Sequence, residues 1–304
     1  MYFRPLIISM RPRQWIKNLI LFAGIIFARE LDNPVFLLRT VEAFVLFCLV
    51  SGGIYIFNDL FDYEKDKQHP RKRLRPIAAG EVPLQIAFLF ATMLVTSAAL
   101  LSILLEFTFG VCILIYIIMM LAYSRGLKKL VILDILIISI GFVLRAYSGT
   151  VVNPGIQVSP WLLACTFFLA MFLALCKRRH ELIFLDKAAN THREVLEEYS
   201  PEFLDQMIAI VTSSTVVSYA LYTLSEETMR KFGTKTLILT FPFVIYGILR
   251  YLYLAYRKGE GGEPENLLLT DKPTIINILL WAVVVILAVY SPFKLDLILH
   301  IGGY

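Results

Sequence analysis

Residues 55–80 read YIFNDLFDYEKDKQHPRKRLRPIAAG, an apolar run that passes into Asn58, Asp59, Asp62 and Asp66 and then into Arg71, Lys72, Arg73 and Arg75. Opposite charges this dense at the end of a hydrophobic segment call for an interface where lipid gives way to water. The rest of the chain has the matching composition. Of 304 residues, 58% are hydrophobic and only 17% charged, with mean hydropathy +0.70. That is too apolar for a water-soluble domain and fits a chain whose solvent is lipid.

A spanning helix needs about 20 mostly apolar residues. Nine stretches qualify as candidates: about 14–28, 38–58, 83–105, 107–123, 131–149, 159–176, 204–224, 236–256 and 273–290. The first is short, so eight or nine spans are expected in an all-α polytopic membrane protein. Arg4, Arg11, Arg13 and Lys17 interrupt the first apolar run, which therefore does not read as a cleaved signal peptide. With the N-terminus inside, 21 Lys and Arg residues fall in inner segments and 6 in outer ones. This bias sets the orientation, because cytoplasmic loops collect positive charge. It also accounts for the net charge of +5 without any nucleic-acid partner. The longest hydrophilic stretches, about 59–82, 177–203 and 257–272, are then all cytoplasmic, and residues 1–304 read as a single transmembrane helical domain. Ser200-Pro201 followed by Glu202 predicts the start of a helix after a cytosolic excursion.

On a helix, Asp59, Asp62 and Asp66 stand at i, i+3 and i+7, with Asn58 four residues before Asp62, so their oxygens share one face. Carboxylates so grouped repel unless a cation lies among them. Hard oxygen donors suit Mg²⁺, which shares its coordination with substrate phosphates. The alternative is a helix end whose acids pair with Lys65 and Lys67. The basic block beside them supplies guanidinium forks and ammonium groups for a polyphosphate. A second hairpin, YSRGLKKLVILDILIISIGFVLRAYSG, places Asp134 about a turn inside a span and Arg145 three turns later, with Lys128 and Lys129 at its mouth. Ionisable groups at membrane depth are expensive and seldom face lipid. Both are candidate site residues, with a buried structural pair as the other reading.

Lys177, Arg178, Arg179, His180 and Glu181 close the sixth span, where anchoring at the membrane edge and a functional role are both open. The same holds for Arg250, Tyr251, Tyr253, Arg193 and Tyr199. Trp15, with Gln14, Lys17 and Asn18, reads as an interfacial belt. Cys48, Cys112, Cys165 and Cys176 lie in apolar stretches without paired spacing and read as core or lipid-facing residues.

Asn58-Asp59-x-x-Asp62-x-x-x-Asp66, followed by Arg75-Pro76-Ile77-Ala78-Ala79-Gly80, resembles the first signature of the UbiA-type intramembrane prenyltransferase superfamily. Tyr123-Ser124-x-x-Leu127-Lys128 leading to Asp134 resembles its second, although the paired aspartates of many members are not both present. The resemblance covers nearly the whole chain and implies nine helices around a central cavity, with Mg²⁺ and diphosphate beneath a cytosolic cap. RPRQWIKN, HPRKRLRPIAAG, GFVLRAYSG, KRRHEL, HREVLEEYS and GGEPENLLLTDKP resemble in particular the decaprenyl-phosphate phosphoribosyltransferase branch. That likeness implies an enzyme of the inner or plasma membrane, working at the cytoplasmic face. Its partners would be 5-phosphoribosyl diphosphate and a polyprenyl phosphate; homo-oligomerisation stays open. Asn58, Asp59, Asp62 and Asp66 would hold Mg²⁺. Asp59, Asp62, Asp66, Asp134 and Arg145 would form the catalytic set. Lys17, Asn58, Arg71, Lys72, Arg73, Arg75, Tyr123, Lys128, Lys177, Arg178 and Arg250 would bind substrate.

Two other readings stay in view. One is prenyl transfer from a prenyl diphosphate to an aromatic or glycerol acceptor. The other is a transporter of phosphorylated lipid, which would spread its charges through membrane depth; here they gather at one side.

Overall fold

Eight helices of the computed structural model are long and apolar enough to cross a membrane. The structure describes residues 2–70, 72–185, 194–259, 261–262 and 264–290. The long helices are α1 (Pro34–Phe61), α2 (Leu84–Leu105), α3 (Phe107–Arg125), α4 (Leu133–Val151), α5 (Pro160–Leu185), α6 (Pro201–Leu224), α7 (Phe241–Arg257) and α8 (Lys272–Tyr290). A 3₁₀ turn, Thr236–Thr240, leads directly into α7. Among the described residues there is no strand.

The ninth expected span, 14–28, takes a different form. It is a 3₁₀ run of 11 residues, Pro12–Phe22, continued by an α-helix of 6 residues, Ala23–Ala28. Arg11, in the left-handed region at φ 54°, turns the chain into Pro12. A 3₁₀ helix rises about 2 Å per residue against 1.5 Å for an α-helix, so this segment still reaches about 31 Å. Its packing depends on Gly149 of α4, where an added Cβ would lie 2.0 Å from the Leu21 carbonyl oxygen.

The chain divides into two compact units, Met1–Val158 with Leu185–Tyr199, and Ser159–Phe184 with Ser200–Tyr304. In the first, Asn33 caps α1 by accepting from the N–H groups of Val35 (3.1 Å) and Phe36 (3.4 Å), with Pro34 as the first helical residue. Phe47, Ile54, Ala98, Phe109, Ile113 and Tyr116 form its central core, and Leu6, Met10, Ile56, Ile77 and Ala87 a second cluster beside it. At the start of α1, Arg39 donates to the carbonyls of Val152 (2.9 Å) and Leu105 (3.0 Å) and pairs with Glu106, serving the C-terminal ends of α4 and α2 together. Leu104, Phe107 and Ile118 point outward and are more than two-thirds exposed, the side chains that a lipid solvent accepts.

In the second unit the predicted start of α6 is present: Ser200 accepts from the Phe203 N–H at 3.1 Å, with Pro201 first in the helix. Trp281 Nε1 donates to the Tyr219 hydroxyl (3.1 Å), which also bonds Thr240 (2.7 Å). Asn277 donates to the Phe243 carbonyl (2.9 Å), tying α8 to α7. Asp271 begins α8 by accepting from the Thr274 N–H (3.0 Å) and hydroxyl (2.7 Å).

Candidate active site

The acidic run of residues 58–66 does not lie on one continuous helix. α1 ends at Phe61, Asp62 takes φ −95° and ψ 7°, and a short helix, Tyr63–Gln68, follows. The turns still stack, since Asp62 N–H donates to the Asn58 carbonyl (3.0 Å) and Asp66 N–H to that of Asp62 (2.8 Å). Asp59, 3% exposed, receives Arg75 Nη1 at 3.0 Å and also Arg11. The same Arg75 nitrogen reaches Asp66 Oδ2 at 2.6 Å, so one guanidinium holds two buried carboxylates together. Arg11 also lies 4.8 Å over the Tyr55 ring.

Asp62 is held from the other hairpin. Lys128 Nζ lies 2.6 and 2.7 Å from its two oxygens, a contact between residues 66 apart in sequence. The loop of Lys128 continues into α4, where Asp134 is fully buried and accepts from the Tyr199 hydroxyl at 2.9 Å. That hydroxyl in turn accepts the Ile132 N–H at 2.7 Å. The cations among the carboxylates are therefore arginines and a lysine from distant segments. Neighbouring Lys67 instead lies over the Tyr63 ring at 4.0 Å and 3.9 Å from Glu64; its bond to the Tyr63 hydroxyl raises its pKa.

Arg145 lies three turns along α4 from Asp134, as the spacing predicts. Nε donates to Asn18 (2.8 Å) and Nη2 to the Tyr116 hydroxyl (2.5 Å), with the rings of Tyr116, Phe142 and Phe47 at 4.8, 5.1 and 5.5 Å. Asn18 is itself fixed by Cys48 and Ser51. Every one of these partners is neutral. Among the described residues no carboxylate forms an ion pair with this buried guanidinium, an arrangement that welcomes an anion.

Of the other expected site residues, Asn58, Lys17 and Lys72 are half-buried, Arg73 is exposed and Tyr123 is buried. Arg71 lies outside the described residues. Lys177, Arg178 and Arg250 belong to the second unit. There Arg178 is buried and pairs with Glu181, and Lys177 is half-buried. Arg250 is clamped by both oxygens of Asp271, at 2.8 and 3.2 Å. The Arg250 hydrogen bonds hold the Asp271 carboxyl well below the usual carboxylate range.

The donor chemistry near α1 fits a hard divalent cation. Asp59, Asp62 and Asp66 with Asn58 offer only oxygen ligands, and two of the carboxylates stand within reach of one Arg75 nitrogen. Among the described residues no three acidic, Cys or His side chains form a ready cage.

Sequence reasoning missed Arg11 at Asp59 and Asn18 and Tyr116 at Arg145, and left Tyr199 undecided. A sign was present in RPRQWIKN, whose two arginines and asparagine precede an apolar run without any nearby acid to pair them.

The family model described as the UbiA prenyltransferase family matches residues 19–257. The chain is 36% identical over 292 residues to the decaprenyl-phosphate phosphoribosyltransferase of Corynebacterium glutamicum, covering 93% of this chain and 86% of that one. To the protein of the same description from Mycolicibacterium smegmatis it is 36% identical over 296 residues, covering 94% and 92%. Among solved structures, a UbiA homologue from Archaeoglobus fulgidus bound to GPP and Mg²⁺ matches with TM-score 0.71 at 19% identity, covering 94% of this chain and 99% of that one.

Proposed function

The chain belongs to the UbiA prenyltransferase family, and from that premise we propose that this multi-pass membrane protein transfers 5-phosphoribosyl from 5-phosphoribosyl 1-diphosphate to a polyprenyl phosphate. The observation that carries the reading is the 36% identity, over more than nine-tenths of the chain, to two decaprenyl-phosphate phosphoribosyltransferases. The acid and base pairs near α1 are its chemical support. The bond from ribose C1 to the diphosphate oxygen breaks, the acceptor phosphate oxygen bonds to C1, and diphosphate leaves.

Asp59, Asp62 and Asp66, with Asn58, are the residues that would hold Mg²⁺, which supplies charge neutralisation of the leaving diphosphate. Arg11, Arg75 and Lys128 already stand beside these carboxylates and are the chain's cations for the phosphate oxygens. Arg145, fixed by Asn18 and Tyr116 and without a carboxylate ion pair among the described residues, offers permanent positive charge to the acceptor phosphate. The acceptor is anionic from the outset, so no strong general base is required; positioning and charge stabilisation of an oxocarbenium-like centre suffice. The distribution of Lys and Arg supports a site facing the cytoplasm.

Purified protein in lipid nanodiscs, given labelled 5-phosphoribosyl 1-diphosphate, Mg²⁺ and polyprenyl phosphate, is expected to produce lipid-linked label and free diphosphate. Absence of lipid-linked label overturns the reading. Labelled prenyl diphosphate with an aromatic or glycerol acceptor, run in parallel, tests the wider family chemistry.

A further inference from the structure

We propose that Tyr199 is a positioning residue for the diphosphate donor, its hydroxyl latching the turn that presents Lys128 to Asp62. The proposal rests on the reading that Lys128 meets the donor's phosphates.

Ile132 adopts φ 68° and ψ −42° immediately before α4. A β-branched residue at positive φ is strained and persists only where its surroundings hold it. Its carbonyl is committed to the helix, accepting from Ile135 N–H (3.1 Å) and Leu136 N–H (2.9 Å). Its own N–H points the other way and meets the Tyr199 hydroxyl at 2.7 Å. The same hydroxyl gives its proton to Asp134 at 2.9 Å, so donor and acceptor capacity are both engaged. Tyr199 and Asp134 are buried, which shields both bonds from competition by water. Lys128 stands four residues before Ile132, in the 3₁₀ turn Leu127–Lys129 of the same short connection, with its ammonium on Asp62.

If the hydroxyl is lost, the Ile132 N–H loses its partner among the described residues, and the bond that fixes the N-terminal side of this strained residue goes with it. The turn relaxes to an ordinary conformation and takes the Lys128 backbone with it. Tyr199 acts through the backbone between Ile132 and Lys128.

The test compares Tyr199→Phe with the double variant Tyr199→Phe/Ile132→Gly, both in nanodiscs. Tyr199→Phe is expected to raise KM for 5-phosphoribosyl 1-diphosphate about tenfold, the scale of a lost buried hydrogen bond to a charged group, while kcat changes far less. Glycine accepts positive φ without strain, so the double variant is expected to recover most of the lost affinity. A loss that reflected only weaker folding would deepen with a glycine in the turn. An unchanged KM in Tyr199→Phe, or a raised KM that Ile132→Gly does not bring down, overturns the proposal. If Tyr199→Phe accumulates poorly, the double variant alone decides, with KM near or far from that of the unmodified chain. Should the unmodified protein transfer no phosphoribosyl at all, the functional reading fails instead. Calorimetric binding of inorganic pyrophosphate with Mg²⁺ to the same proteins then reads the latch on its own.

Discussion

Asp62→Asn separates a functional carboxylate from a structural one more cleanly than any other substitution in the acidic run. Both Asp62 oxygens accept from Lys128, at 2.6 and 2.7 Å, and the two side chains are 22% and 17% exposed. A pair so placed contributes about 1 kcal/mol at most to folding, against a total of about 5–15 kcal/mol. For a chain this long, that moves the melting temperature by about 2 °C. If Asp62 instead helps to hold the metal and diphosphate, removing its charge costs about 10²–10³ in turnover, or about 3–4 kcal/mol of transition-state stabilisation. Asp59→Asn would be harder to interpret, because Asp59 is 3% exposed and its loss strands Arg11 and leaves Arg75 with Asp66 alone. Removing one partner from a buried ionic group costs about 3–5 kcal/mol, enough to confuse misfolding with lost chemistry. The assay is transfer of labelled phosphoribosyl to polyprenyl phosphate, beside a thermal melt of the same preparation. Transfer within about threefold of the unmodified protein would refute the metal role, since so small a factor is under 1 kcal/mol.

Removing divalent metal with a chelator should abolish the heat of pyrophosphate binding, and Mg²⁺ should restore it; equal binding in both states would contradict an oxygen-ligated metal at Asp59, Asp62 and Asp66. Gly149→Val should prevent folding, because its Cβ would meet the Leu21 carbonyl oxygen at 2.0 Å, backbone that cannot step aside; normal accumulation in the membrane would show that the 12–28 segment packs elsewhere. Arg250 lowers the pKa of Asp271. The pair and the α8 cap therefore add stability in full above about pH 4, the unfolded value, and lose it as pH falls toward the depressed folded value. The melting temperature of the unmodified protein should drop more between pH 6 and pH 3 than that of Asp271→Asn, and parallel curves would refute the linkage.

Much of the fold is legible because a lipid solvent imposes a simple rule. A stretch of about 20 apolar residues must be helical to satisfy its backbone, and eight of the nine expected stretches are long helices. The start of α6 was legible too, since capping at Ser200 and Pro201 involves atoms within one turn. The stretch 14–28 broke the rule by taking 3₁₀ geometry up to Phe22, and its backbone packs so closely on Gly149 that no side chain would fit there, a contact its own composition does not encode. In the candidate site, the clustering of Asp59, Asp62 and Asp66 beside basic residues was plain from the sequence, and so was the rarity of Asp134 and Arg145 at membrane depth.

The amino-acid sequence alone determined where the chain enters lipid and which short segments carry its polar chemistry, because both depend on neighbours within a few turns. Tertiary structure decided which charge meets which. Arg11 reaches Asp59 across 48 residues, Tyr199 reaches Asp134 across 65, Lys128 reaches Asp62 across 66, and Arg145 reaches Asn18 across 127. Each bond acts over a few ångströms, and only the packing of whole helices brings such distant residues that close. No periodicity along the chain encodes it.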